Sequence, residues 1–274
     1  MRHIIAGAFA AFAIATPALA ADEHVPAFKA SGSVALVSDY RFRGVSQSNN
    51  GFAVQGGITV AHESGLYAGF WSSNLAGWGT FGGPNLELDL IGGFKLPVGA
   101  GTLDLGLTWY MFPGGAARTS FAEPYVKLSG TAGPVGLTAG VAYAPSQVAL
   151  GNWSNHPDSM TGDKESNFYA WGDGAVGVTG TPVTLKAHIG YSEGNPGLGP
   201  NGTSVAPTGS YFDWLIGADM VVGPVTLGVA YVDTDISTSS VEFLRLQPNF
   251  SRYQIPGGEP ISSARVVFSV SAAF

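Results

Sequence analysis

The sequence has no cysteine among its 274 residues, which closes off disulfide frameworks, cysteine zinc sites, thiol nucleophiles and cysteine-ligated clusters. Charge is scarce as well: Asp, Glu, Lys and Arg make up 11% of the chain, against about 25% in an ordinary soluble domain. Positive charge is the scarcer sign, with 12 Lys plus Arg against 19 Asp plus Glu and a net charge of −7. That balance leaves no basic footprint for nucleic acid. Beyond residue 20 there is no apolar run of the roughly 18 residues that a membrane-spanning helix needs, so a helical membrane protein is excluded. Disorder is excluded too, because 45% of the chain is hydrophobic and 12% aromatic, while 40 glycines argue against a helical fold.

What is present begins with a targeting pattern. Met1-Arg2-His3 is basic, residues 4–19 are apolar with Pro17 among them, and Ala18-Leu19-Ala20 supplies small residues for cleavage. Residues 1–20 therefore read as a secretory signal peptide, 21–30 as a periplasmic leader and 31–274 as one domain. Through that domain apolar residues recur with period two. In residues 33–43, Val34, Leu36, Tyr40 and Phe42 share one face, and Asp39, Arg41 and Arg43 share the other. The pattern returns from Phe52 to Val60, Leu86 to Phe94, Leu103 to Met111, Val135 to Tyr143, Val183 to Tyr191, Phe212 to Met220, Val225 to Tyr231 and Val266 to Phe274. With weaker segments near 66–73, 121–129 and 168–178, the chain reads as about 12 strands of the length a tilted membrane strand requires.

The connections alternate in length. Short Gly- and Pro-rich turns fall at 62–65, 97–102, 130–134, 179–182 and 223–224; long ones fall at 44–51, 74–85, 113–120, 144–167, 193–210 and 235–262. Short periplasmic turns and longer extracellular loops are the habit of outer-membrane barrels. A soluble sandwich would use similar strands and turns, but its solvent face would be rich in Lys and Glu, whereas here that face carries Gly, Ala and Thr. Aromatic residues also crowd the loop ends of the strands, at Tyr40, Phe42, Phe70, Trp109, Tyr143, Phe168, Tyr191, Phe212, Trp214 and Tyr231. Such a belt suits a membrane interface, and Phe94 and Phe274 mark a thinner one at the opposite end. Val266, Phe268, Val270, Ala272 and Phe274 alternate up to a terminal Phe, which resembles the assembly signal of outer-membrane barrels. The expectation is an all-β protein: a single transmembrane antiparallel β-barrel in the bacterial outer membrane, surrounded by its lipids. The outer-membrane assembly machinery is expected to read Phe268, Val270 and Phe274.

Two stretches carry a family resemblance. Ser38-Asp39-Tyr40-Arg41-Phe42-Arg43-Gly44-Val45-Ser46-Gln47-Ser48 and residues 62–74, from His62-Glu63-Ser64-Gly65 to Ser73-Asn74, resemble the opening motifs of the TorF family of porin-like proteobacterial proteins. The resemblance implies a porin and supplies neither a substrate nor a catalytic residue.

Other motifs have bland readings. Two Gly-x-Gly-x-x-Gly matches, at Gly172, Gly174, Gly177 and at Gly197, Gly199, Gly202, open no helix after a buried strand and read as chance in a glycine-rich chain. Asn152 and Asn201 begin sequons that mark polar loops. His156, Asp158, Asp163 and Glu165 lack any recognised ligand spacing and read as a solvated acidic loop, so no metal or cofactor is expected. An outer-membrane lipid hydrolase needs a Ser beside an oriented His on the lipid face. His24, His62, His156 and His188 fall instead in a leader, a turn, a loop and the inward face, so no enzyme is expected.

The inward face holds the candidate site. By strand parity it carries Asp39, Arg41, Arg43, Glu87, Asp89, Asp104, Glu123, Lys127, Lys186, His188, Asp213, Asp219 and Arg265. Small residues between them, including Gly57, Gly106, Gly136, Gly140 and Gly190, are expected to leave volume unfilled. A passive channel for small hydrophilic solutes or ions is expected, with a slightly acidic lumen and mild cation preference. The alternatives are a non-conducting surface barrel filled by its own side chains and, behind it, the hydrolase. Arg41, Arg43 and Arg265 are expected to form one wall of the mouth, opposite an acidic wall of Glu87, Asp89 and Glu123.

Overall fold

A computed structural model describes residues 27–76, 84–115, 119–151, 164–194, 210–237 and 260–274. The expected signal segment, most of the leader with His24, both sequon asparagines, His156, Asp158, Asp163 and the second glycine motif lie outside the described residues.

The strands are β1 (Phe28–Val37), β2 (Arg41–Phe42), β3 (Val45–Ser46), β4 (Ala53–His62), β5 (Leu66–Asn74), β6 (Leu86–Val98), β7 (Gly101–Met111), β8 (Phe121–Ala132), β9 (Val135–Gln147), β10 (Glu165–Gly177), β11 (Val183–Glu193), β12 (Ser210–Val222), β13 (Val225–Thr234) and β14 (Arg265–Ala273). All but β2 and β3 form one closed antiparallel barrel, in which neighbours in sequence are neighbours in space. Twelve strands thus close on themselves, because β1 pairs with β4 on one edge and with β14 on the other. Phe274 extends that seam by exchanging both main-chain hydrogen bonds with Gly32, at 2.8 and 2.9 Å.

The tight turns all lie at one end. Each contains a glycine in the left-handed region, at Gly65, Gly99, Gly133, Gly180 and Gly223, a conformation that a side chain would strain. Outward positions are apolar and exposed along the strands, among them Val34, Leu36, Leu90, Leu137, Ile189 and Ile216. Phe70, Trp109, Tyr143, Phe168, Phe212 and Tyr231 are exposed toward the loop ends. Closure satisfies every strand edge and the surrounding belt is apolar, so this exterior is built to be solvated by lipid and the barrel is a membrane-spanning one.

The first strand departs from its alternation. β1 ends at Val37, and residues 38–51 fold into the barrel, where β2 and β3 form a small hairpin. Ser38 ends the seam: its N–H donates to the Phe268 carbonyl at 2.9 Å, and its hydroxyl accepts from the Phe268 N–H at 2.9 Å. Tyr40 and Phe42 consequently do not join the outer aromatic belt. Tyr40 is buried edge-on to Trp71 at 5.3 Å between ring centres, and Phe42 meets Tyr110 at 5.8 Å. Alternation could not distinguish the two arrangements, because both faces of an inward hairpin are covered.

Candidate functional site

Two arginines fasten the inward segment. Arg41, 1% exposed, donates through Nε to Asp39 at 2.6 Å and through Nη1 to the carbonyls of Gly44, Ile261 and Ser263 at 2.8–3.0 Å. Its Nη2 donates to Asn50 Oδ1 at 2.9 Å. Burial pulls the guanidinium below its ordinary pKa, and the adjacent Asp39 opposes that pull. Asp39 also accepts from the hydroxyls of Ser46 and Ser48, so one acid and one base organise the whole turn.

Arg43 reaches in the other direction. Its backbone sits in the left-handed region with φ of 48°, next to Gly44 at 78°. Nη2 donates to both Glu123 oxygens on β8 at 2.7 Å, and Nη1 donates to Asn167 Oδ1 on β10 at 2.6 Å. The guanidinium lies 4.0 Å from the centre of the Tyr169 ring, and the Tyr211 hydroxyl of β12 donates to the Arg43 carbonyl at 3.0 Å. The segment is therefore braced against walls far apart around the barrel. Arg43 and Glu123, expected on opposed walls, form one buried ion pair, and Arg41 is spent on Asp39. The expected transverse field is not what these residues make: a guanidinium on a folded-in loop is long enough to cross the lumen. Arg265 stays at the start of β14, partly exposed and close enough to bear on Arg41.

Toward the turn end the interior is more open. Lys127 pairs with Asp104 at 3.3 Å and Lys186 with Asp219 at 2.7 Å, and Lys127, Lys186 and Asp219 are each about one third exposed. His188 is buried between two acids, with Nδ1 2.7 Å from Asp173 and Nε2 3.1 Å from Asp213. Only an imidazolium can donate from both nitrogens at once, so this geometry suits the charged ring. The Tyr169 hydroxyl lies 2.9 Å from His188 Nε2 and donates to Asp213 Oδ2 at 3.1 Å, which links this cluster to the ring beneath Arg43. Glu87 and Asp89 face inward on β6 and are buried, and neither forms an ion pair among the described residues.

Several inward glycines do not leave space, contrary to expectation. Tyr67 lies over Gly93, Tyr125 over Gly106, Trp171 over Gly140 and Tyr169 over Gly190, so an added methyl would collide with a ring at each. Over the cross-strand pair Gly93 and Gly106, the Tyr67 and Tyr125 hydroxyls meet at 2.5 Å, and Tyr67 also donates to Asp104 at 2.7 Å. Asn167, Tyr169, Trp171 and Asp173 were missed in the sequence reading. Counting inward from Phe168 would have found the last three. One Ser–His contact does occur, between His62 Nδ1 and Ser64 Oγ at 2.8 Å, but Nδ1 also accepts from the Ser64 N–H. The pair closes the β4–β5 turn, and the ring packs against Phe28 at 4.8 Å between centres.

A family model described as bacterial protein of unknown function (Gcw_chp) matches residues 21–272. No curated protein matches the chain by sequence. Among solved structures, an outer membrane channel from Pseudomonas putida is 12% identical with a TM-score of 0.44, over 94% of this chain and 99% of that one. An anion-selective porin from Comamonas acidovorans is 11% identical with a TM-score of 0.42, over 90% of this chain and 99% of that one.

Proposed function

The chain belongs to the Gcw_chp family of bacterial proteins of unknown function, and from that premise we propose a narrow porin-like channel for small hydrophilic solutes or ions, constricted by residues 38–51. A closed antiparallel barrel with an apolar exterior in a bacterial protein resides in the outer membrane. The observation that carries the reading is the contrast within the lumen: charged Lys127, Lys186 and Asp219 keep solvent access in the turn-side half, while the loop-side half is narrowed by one inward segment. Charges that line a narrow aqueous path set which solutes pass. On this reading Lys127, Lys186 and Arg265 line the path, the buried His188–Asp213 pair stiffens the wall behind it, and Asp39, Arg41, Arg43 and Glu123 hold the constriction in place. The stretch that resembles the first TorF motif, residues 38–48, lies within the inward segment. Phe268, Val270 and Phe274, outward or terminal on β14, are proposed as the residues the assembly machinery reads.

Single-channel recording in planar bilayers tests this. Wild-type protein should show small, discrete conductance steps, and replacing residues 41–50 by a Gly-Ser link should enlarge them several-fold. A non-conducting barrel is the second reading, favoured by the Arg43 brace, and silence in both proteins would establish it instead.

A further inference from the structure

Glu87 and Asp89 stand apart from the other interior acids. They are consecutive inward positions on β6, 3% and 6% exposed, and each has a buried oxygen, Glu87 Oε2 and Asp89 Oδ1, without a hydrogen-bond partner. The bases of the inward segment are engaged elsewhere, Arg41 with Asp39 and Arg43 with Glu123. Glu123, which also bears on Asp89, is another acid. Asp89 is flanked across the sheet by Trp71 on β5 and Tyr110 on β7, both members of the apolar cluster around Tyr40. Ser73 lies across from Glu87, and Tyr40 is close enough to bear on it.

Two uncompensated carboxylates against an apolar wall are costly, and a buried charge persists only when it is neutralised and its lone pairs are satisfied. Protonation would quench one charge and turn that carboxyl into a donor for its neighbour, so a proton competes with a cation for the pair. A cation between them answers both deficits. The donor set is all oxygen, which selects a hard cation, and two carboxylates match a charge of two. We propose that Glu87 and Asp89 bind one divalent hard cation, of the magnesium or calcium kind, between the β5–β7 wall and the inward segment. Among the described residues no group of three or more His, Cys, Asp or Glu is placed to hold a metal; these two carboxylates with hydroxyl, main-chain or water oxygens make up the ligand set. The inference needs a folded barrel and not a conducting one, so it stands or falls separately from the channel.

The test uses the full barrel in detergent micelles, free of lipopolysaccharide and treated with chelator. Its unfolding temperature is followed by the gel shift between unheated and heated protein, in MgCl2 or CaCl2 against KCl at equal ionic strength. The wild-type midpoint should rise and saturate with divalent ion. The Glu87→Gln, Asp89→Asn double variant should show no such rise and, without divalent ion, should melt no lower than wild type. A second readout covers a variant that fails to fold: terbium bound beside Trp71 and Tyr110 should luminesce on aromatic excitation, be displaced by calcium, and need at least ten-fold more terbium in Asp89→Asn. A wild-type midpoint indifferent to divalent ions, or an equal rise in the double variant, overturns the proposal. So does a midpoint raised by acid and not by metal, which would assign protons to the pair.

Discussion

Arg43→Met is the most informative perturbation, because it removes one charge from the centre of the brace while keeping most of the side-chain volume. The variant leaves Glu123 buried at 4% exposure without its two 2.7 Å contacts to Arg43 Nη2, with the Tyr110 hydroxyl still donating at 3.2 Å, and leaves the Asn167 side-chain oxygen without its 2.6 Å donor. Breaking a buried pair from one side costs about 3–5 kcal/mol, since the abandoned charge keeps its desolvation penalty. Loss of the cation over Tyr169 adds up to about 2 kcal/mol at a desolvated ring. Glu123→Gln should cost less, because Arg43 keeps Asn167, Tyr169 and an amide oxygen. The double variant should lose about 2–3 kcal/mol less than the sum of the singles, as expected for residues in direct contact. Urea unfolding in micelles, followed by tryptophan fluorescence, measures all three, and bilayer recording should show larger or noisier steps in Arg43→Met. An Arg43→Met barrel within about 1 kcal/mol of wild type, or strictly additive variants, would refute the claim that this pair anchors the inward segment.

Three further outcomes are expected. Replacing Lys127 and Lys186 with Gln should move the reversal potential in a salt gradient toward cations, and Asp219→Asn should move it toward anions; no shift in either would mean these partly exposed charges do not border a conducting path. Gly190→Ala pushes a methyl into the Tyr169 hydroxyl and to 2.6 Å from Asp213 Oδ2, and should cost about 1–3 kcal/mol by overpacking, checked by the same urea titration. Deleting Phe274 removes two seam hydrogen bonds with Gly32 and should lower the amount of heat-modifiable barrel in the outer-membrane fraction; unchanged amounts would mean that neither the seam nor the assembly machinery depends on it.

The strands and turns were legible in the sequence because a two-sided wall writes itself as alternation, and because each tight turn needs a glycine with positive φ. Parity also placed Glu87, Asp89, Glu123, Lys127, Lys186, His188 and Asp213 on the inward face, since every one lies within a regular strand. It failed from Ser38 to Arg43, where an inward segment mimics a strand. It could not reveal that Arg43 meets Glu123, because a contact across 80 residues is set by barrel closure and not by spacing. The covered glycines were misread for a related reason. Composition counts a missing side chain as a void, whereas the ring that fills it comes from another strand.

Those covered glycines bear on how the barrel reaches the correct pairing. Each ring finds room only if its glycine stands at the matching position on another strand; Tyr67 opposes Gly93, Tyr125 opposes Gly106 and Trp171 opposes Gly140. A slip of one residue would turn the ring toward lipid and set a side chain where only hydrogen fits. The two tyrosines that meet over Gly93 and Gly106 tie four consecutive strands, β5 to β8, into a single agreement. In a chain with no cysteine to lock a mistake or a success, this arrangement proofreads the sheet as it closes.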